Sequence, residues 1–302
     1  MIDIAIIGGG PAGLAAGLYA ARSGVKCALF EEMFVGGQAA KTNQIDNYPG
    51  FAQGIDGYTL GINMEQQAKR FGLEIFNGNI SSLILGQDPK RIVCDGIEHE
   101  ALSVIIATGA TPRKLGVDGE ERFTGSGVSY CATCDGAFFK GMTVAVVGGG
   151  DTAVSDAVFI ARFAKDVYLI HRRDQLRASH ALERAAKSED NIHFIWNSVV
   201  TGLHGDARLS GIKIQNLLNQ TETDMKVDGL FVAVGITPNS KLVEGQLELN
   251  EGGYIVTDPN MRASVKGVYA AGDVRNTPLR QIVTAVADGA VAATTAAEDL
   301  LV

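Results

Sequence analysis

Two glycine-rich turns, Gly8-Gly9-Gly10-Pro11-Ala12-Gly13 and Gly148-Gly149-Gly150-Asp151-Thr152-Ala153, each follow an apolar run and open a helical pattern. Two strand endings also match: Val104-Ile105-Ile106-Ala107-Thr108-Gly109 and Leu230-Phe231-Val232-Ala233-Val234-Gly235. Each leads to a Thr-Pro exit, at Pro112 and Pro238. These features predict an α/β chain of two Rossmann-like three-layer domains, the second inserted into the first. The turns lie 140 residues apart, which reads as an internal duplication of one strand–turn–helix unit.

Each element follows from local pattern. Residues 2–7 are a short apolar run suited to a strand buried on both faces. The first turn then opens a helix reaching about Ser23, and residues 26–30 form the next strand, ending in Glu31-Glu32. Leu60, Met64, Ala68 and Phe71 recur at helical spacing and mark an amphipathic helix. Residues 103–107 form a strand ending at Thr108-Gly109. The second unit starts with a strand at 143–147, and a further strand at 167–170 runs into His171-Arg172-Arg173. A late strand in Gly267-Val268-Tyr269-Ala270-Ala271-Gly272-Asp273 precedes a last helix beginning at Arg280-Gln281-Ile282. The expected domains are 1–112 with 241–302, and 113–240.

At 302 residues the length suits about two domains of ~150 residues. Hydrophobic content of 46% with 20% charged residues supports a large core and excludes a disordered chain. A net charge of −8 argues against non-specific nucleic-acid binding. The apolar start lacks the basic residues of a secretory leader, and the alanine-rich tail carries Asp288, Glu298 and Asp299, against a membrane span. The expected location is cytoplasmic. There, a Cys-x-x-Cys pair is more often catalytic or metal-binding than structural.

In the first turn, Gly8, Gly10 and Gly13, with Pro11 and Ala12, let a pyrophosphate approach the backbone at a helix start. Glu31, followed by Glu32, closes the next strand, where a carboxylate hydrogen-bonds ribose hydroxyls. The second turn offers Gly148, Gly150, Asp151, Thr152 and Ala153, but beyond its next strand stand Arg172 and Arg173, with Arg177 one helical turn on. Guanidinium groups there suit a 2′-phosphate and so NADPH over NADH; a solvated basic helix start is the alternative. Gly272 and Asp273, at the end of the late strand, precede the Arg280-Gln281-Ile282 helix start. Alone this would be a capped turn; beside the first turn it reads as flavin binding. The two sites differ in kind, one suited to FAD and the other to NADPH.

Cys131-Ala132-Thr133-Cys134-Asp135 places Cys134 14 residues before the second turn. Two thiols so spaced close an exchangeable disulfide. A structural disulfide or half a zinc site are the alternatives. The other two cysteines, Cys27 and Cys94, are isolated on strand-like segments, and none of the five histidines forms an evident metal pair, so no metal is expected. Asp135 is a candidate general acid, or the first residue of an Asp-Gly turn.

These residues, with Gly36-Gly37-Gln38, Asp46-Asn47-Tyr48-Pro49-Gly50 and Ala271-Gly272-Asp273, resemble the low-molecular-weight thioredoxin reductases from end to end. The resemblance implies a homodimer with FAD in the first domain, engaging Gly37, Gln38, Asn47 and Gly109 as well, and NADPH in the second. It implies that Cys134 faces the flavin as the charge-transfer thiolate, that Cys131 attacks the disulfide of thioredoxin, and that Asp135 is the acid. It further implies rotation of the second domain about the crossings near Pro112 and Pro238. Ser155-Asp156, Val35 and Ala287 depart from the family's usual residues. Competing readings are a flavin-dithiol reductase with another thiol-protein acceptor or a ferredoxin-type donor, a thiol oxidase, and a nucleotide-sensing regulator.

Overall fold

The computed structural model describes residues 1–42 and 44–301, which form two compact units, Met1–Thr111 with Thr237–Val302 and Pro112–Ile236. In chain order the first unit contains β1 (Ile2–Ile7), α1 (Pro11–Arg22), β2 (Cys27–Glu31), α2 (Gly57–Arg70), β3 (Glu74–Asn77), β4 (Ile80–Ile84), β5 (Lys90–Cys94) and β6 (Ile97–Ile106). The crossing strand β7 (Ala110–Pro112) leads to α3 (Glu120–Phe123), β8 (Val128–Ser129), α4 (Ala132–Asp135), β9 (Thr143–Val147), α5 (Asp151–Ala161) and β10 (Asp166–Ile170). Then follow α6 (His180–Lys187), β11 (Ile192–Ile195), β12 (Ser198–Gly205), β13 (Leu209–Asn216), β14 (Glu222–Met225) and β15 (Gly229–Val232). The return strand β16 (Ile236–Pro238) leads back to β17 (Val268–Ala270) and α7 (Ile282–Asp299).

The first unit's sheet runs β3-β2-β1-β6-β5-β4, with β17 also on β6. One long strand serves two partners along one edge: the start of β6 pairs antiparallel with β5, and its end pairs parallel with β17. Period-two alternation puts Ile4 and Ile6 in one apolar cluster with α1 and α7, and Ala5 and Ile7 in the other. A strand buried on both faces is what the continuous apolar run of β1 requires.

The second unit repeats the plan. Its parallel sheet runs β11-β10-β9-β15-β8, with α5 and α6 on one face and the antiparallel β12-β13-β14 layer toward the other. Register equates the two units at the glycine turns: Ile7 pairs with Phe30 and Gly8 N donates to Phe30 O, while Val147 pairs with Ile170 and Gly148 N donates to Ile170 O.

Two expectations change in detail. Helix α2 ends at Arg70, so Phe71 is its C-cap and leaves the apolar stripe, lying under the guanidinium groups of Arg70 and Arg22. Arg172, Arg173 and Arg177 lie in the loop before α6, which begins only at His180. They are therefore not a helix start. No helix among the described residues is long and apolar enough to cross a membrane.

Helices α1 and α7 pack without intervening side chains at Gly289, where a Cβ would overlap the Ala12 carbonyl oxygen. Alanine gains about 1 kcal/mol over glycine in a helix, but backbone cannot give way as a flexible side chain does. Forced overpacking costs ~1–3 kcal/mol or more. Gly289→Ala is therefore expected to lower the apoprotein's melting temperature by several degrees, measured by thermal unfolding.

Candidate functional site

Both glycine turns end at helices that no side chain caps. Gly10 is the N-cap of α1 and Gly150 the N-cap of α5, and neither helix start receives a side-chain cap bond. Pro11 opens α1, and Asp151 and Thr152 open α5, with Ala12 and Ala153 buried in the first turn of each. The first amides of an α-helix have no intrahelical acceptor, so an uncapped end accepts an anion. Space is available there. A Cβ on Gly150 would meet nothing within 4 Å, and one on Gly10 would meet only the Gly37 Cα at 3.9 Å. Gly8 holds φ +106, and Gly13 sits against the Gly8 carbonyl oxygen, so the turn closes only with glycine at both positions.

Around the first turn, Gly9 N donates to Glu31 Oε2 at 2.6 Å, and Glu31 Oε1 accepts from Met33 N at 3.3 Å. Glu32 is exposed. The following loop folds back so that Gly36 N donates to Gly9 O at 2.8 Å, and Gly37 comes close over Gly10. Gln38 is exposed just before a short 3₁₀ turn, Ala39–Lys41. At the end of β6, Gly109 holds φ +70 with open space where a side chain would stand, and its carbonyl accepts from Asn239 N at 3.0 Å.

Asn47 Nδ2 donates to Gln281 Oε1 at 2.9 Å, joining the 44–57 loop to the start of α7. Gln281 is the N-cap of α7 and forms a capping box with Thr284, and Ile282 is the first helical residue. Arg280 lies over the Tyr254 ring, 4.3 Å from its centroid, and its Nε is buried with no hydrogen-bond partner among the described residues. Gly272 adopts φ +77 beside Ala12, and its N–H donates to Asp288 Oδ2 at 3.1 Å. Burial pushes the Asp273 carboxyl up to about 6, with Arg280 opposing the rise and Asp288 adding to it. Open glycines, an uncapped helix end and an unpartnered guanidine nitrogen fit a large polar nucleotide.

Around the second turn, His171 takes the position that Glu31 holds around the first. Its ring lies under Gly149, where any side chain would collide with it. Burial, then Arg177 and the neighbouring Arg173 and Arg172, push the imidazole below its usual range, and Nε2 is buried with no partner among the described residues. The arginine loop is fastened to the turn at two points. Arg177 N donates to Gly149 O at 2.6 Å, and Ser179 N donates to Asp151 Oδ1 at 2.7 Å. Arg172, Arg173 and Arg177 are all exposed, so three cations stand beside an uncapped helix start. Gly148 packs against the Ala233 carbonyl oxygen and Ala153.

In the same unit Cys131 and Cys134 are joined by a disulfide with Cα atoms 5.3 Å apart. Cys131 is the N-cap of the short α4, and its carbonyl accepts from Cys134 N at 3.3 Å and Asp135 N at 3.1 Å. Burial raises the Asp135 carboxyl above its ordinary range, and a 2.6 Å bond donated by Ser129 Oγ opposes that rise. Cys27 and Cys94 are free and buried, and no group of three or more metal-ligating side chains occurs among the described residues.

Sequence reasoning had passed over four of these residues. His171 was named only as leading into the arginines, yet strand register gives it in its own unit the position that Glu31 holds in the first. Gly36 showed only as part of a glycine pair. Ser129 carries no spacing signal, because it acts across the turn from Asp135. Asp288 served only as evidence against a membrane span, yet it holds Gly272 N and pairs with Arg275 Nη1 at 2.9 Å.

Comparison with known proteins agrees with this geometry. The family model for pyridine nucleotide-disulphide oxidoreductases matches residues 2–289. A thioredoxin reductase of Peptoclostridium acidaminophilum is 46% identical over 300 residues, covering 97% of this chain and 95% of that one. A thioredoxin reductase of Bacillus subtilis (strain 168) is 43% identical over 292 residues, covering 96% and 92%. The crystal structure of thioredoxin reductase from Streptococcus pyogenes MGAS5005 superposes with a TM-score of 0.94 at 44% identity, covering 100% of this chain and 98% of that one. The chain belongs to the pyridine nucleotide-disulphide oxidoreductase family, among its low-molecular-weight thioredoxin reductases.

Proposed function

We propose that this chain is an FAD-containing, NADPH-dependent thioredoxin reductase, working as a cytoplasmic homodimer. The observation that carries the reading is the Cys131–Cys134 disulfide beside Asp135, in the unit whose second glycine turn is flanked by three arginines. Gly8, Gly10, Gly13, Pro11 and Ala12 would hold the FAD pyrophosphate at the start of α1. Glu31 and Glu32 would face its ribose, and Gly37, Gln38, Asn47, Gly109, Gly272, Asp273, Arg280, Gln281 and Ile282 would surround the rest. In the other unit Gly148, Gly150, Asp151, Thr152 and Ala153 would hold the NADPH pyrophosphate, and Arg172, Arg173 and Arg177 its 2′-phosphate.

When bound, FAD supplies two-electron transfer from the nicotinamide to the disulfide. The protein's own part is thiol exchange. Cys131, as thiolate, attacks one sulfur of the thioredoxin disulfide; that bond breaks and a mixed disulfide forms. Cys134 then attacks the Cys131 sulfur, restoring the internal disulfide and releasing thioredoxin as a dithiol. Two electrons pass to thioredoxin, and the departing thiolates need protons. Asp135, whose carboxyl burial raises above its ordinary range while Ser129 opposes the rise, is placed to give one.

Two measurements test the reading. Rapid mixing with NADPH, NADH or reduced ferredoxin is expected to bleach the flavin fastest with NADPH, followed by turnover with oxidised thioredoxin. Bleaching by ferredoxin alone would replace the donor, and full bleaching without thioredoxin turnover would replace the acceptor. FAD should also depend on its proposed carboxylates. The Glu31→Ala, Asp273→Ala double variant is expected to purify folded with most of its flavin absorbance lost, whereas full occupancy would move the site elsewhere.

A further inference from the structure

Ser129 ends β8 at 5% exposure, and its hydroxyl meets three groups at once. It lies 2.6 Å from Asp135 Oδ2, 3.1 Å from Cys131 N and 3.3 Å from Cys131 O. The Cys131 amide can only donate, so the hydroxyl accepts there. A serine hydroxyl has one proton, and the Asp135 carboxylate and the Cys131 carbonyl compete for it.

We propose that Ser129 is a positioning residue that couples the proton on Asp135 to the backbone of Cys131, and so to the turn carrying both redox sulfurs. With Asp135 ionised, the serine O–H donates to Oδ2. With Asp135 protonated, the carboxyl O–H donates to Ser129 Oγ, and the serine proton turns to the Cys131 carbonyl. That carbonyl has two lone pairs and already accepts from Asp135 N at 3.1 Å and Cys134 N at 3.3 Å. The new bond therefore competes with the longer one, which holds Cys134 in the turn. Ser129 keeps its own proton throughout. Only the Asp135 proton leaves, to a thiolate sulfur, and the serine O–H then swings back to the carboxylate left behind.

Geometry leaves few other influences. Burial raises the Asp135 carboxyl and Ser129 opposes it; of the elements packed against α4, the 3₁₀ turn Gly136–Phe139 carries no charged side chain, and Asp151 and Asp156 of α5 make no bond to Asp135 among the described residues. Apart from the cysteine pair itself, Ser129 is thus the polar group that sets the acid. The role of the coupling in turnover rests on Asp135 being the acid of thiol exchange; the coupling itself does not.

The test follows Asp135 and Cys131 directly in the holoenzyme, by carbon-13 NMR of protein labelled at aspartate carboxyls and cysteine carbonyls. The Asp135 signal is identified by its loss in Asp135→Asn. In Ser129→Ala its titration midpoint is expected to rise by about one pH unit, the tenfold effect of losing one charge-assisted hydrogen bond. Ser129→Thr should bring it back. In the unaltered protein the Cys131 carbonyl signal should shift through the same midpoint as Asp135, and stay flat in Ser129→Ala and Asp135→Asn. An unmoved Asp135 midpoint in folded Ser129→Ala, or a Cys131 carbonyl indifferent to pH in the unaltered protein, overturns the coupling. The second of these needs no substitution and decides the matter if Ser129→Ala does not fold. The pH profile of thioredoxin turnover separates the two ideas. A limb that moves with the midpoint supports both, and a limb that stays while the midpoint moves supports the coupling but removes Asp135 as the acid.

Discussion

Cys131→Ser and Cys134→Ser are each expected to abolish turnover with oxidised thioredoxin, and to fail in different ways. With Cys131 intact and Cys134 replaced, the attack on thioredoxin still occurs but nothing resolves it. The variant should accumulate a mixed disulfide with thioredoxin, visible as a reducible complex by non-reducing electrophoresis and mass spectrometry. With Cys131 replaced, the remaining thiol is the one proposed to face inward, so little complex should form. The loss is complete in both because exchange needs an attacking thiolate and a resolving one, and serine supplies neither at neutral pH. Equal trapping by the two variants would reverse or erase the division of labour. Normal turnover by either would remove the dithiol from the reaction.

The second large effect lies in cofactor choice. Arg172→Ala with Arg173→Ala is expected to raise the KM for NADPH at least about tenfold, since charge-assisted hydrogen bonds contribute ~1.5–3 kcal/mol each. KM for NADH should change little, because NADH has no 2′-phosphate for the guanidinium groups to meet. The loop itself should persist, being tied through the Arg177 backbone and Ser179 and not through these side chains. Steady-state kinetics with both nucleotides checks it. A parallel rise for both would mean that the loop had moved, and no rise for either would place the 2′-phosphate elsewhere.

The two strand–turn–helix units were legible because they are written in neighbours. An apolar run, glycines at fixed spacing and a helical pattern determine β1, α1 and β9 almost residue by residue, and the opening of α5. The thiol pair was legible for the same reason. What stayed hidden depends on partners distant in sequence. Nothing near Asn47 reveals its bond to Gln281, 234 residues on, nor does anything near Ser129 reveal that its hydroxyl serves Asp135. The arginines were recognised as cations suited to a 2′-phosphate, with a helix start as the alternative, and the structure places them in a loop. Basic residues at short spacing suit a helix and a loop equally, and only the bonds from Arg177 N to Gly149 O and Ser179 N to Asp151 choose the loop. His171 was visible but given no role, since counting along a strand cannot reveal which residue the register sets under a turn.

Helices α1 and α5 both begin without a side chain on their first amides. An ordinary helix meets that need from its own sequence, whereas this chain leaves it to molecules from solution. Cofactor supply then governs how long the protein lasts as well as how fast it works. A ligand that binds only the folded state adds about 2.7 kcal/mol at a hundred times its dissociation constant, and ~1–2 kcal/mol is enough to change cellular abundance severalfold. A flavin-starved cell would therefore hold fewer copies of the chain, each quicker to unfold and to be degraded, and recovery after repletion would wait on new synthesis.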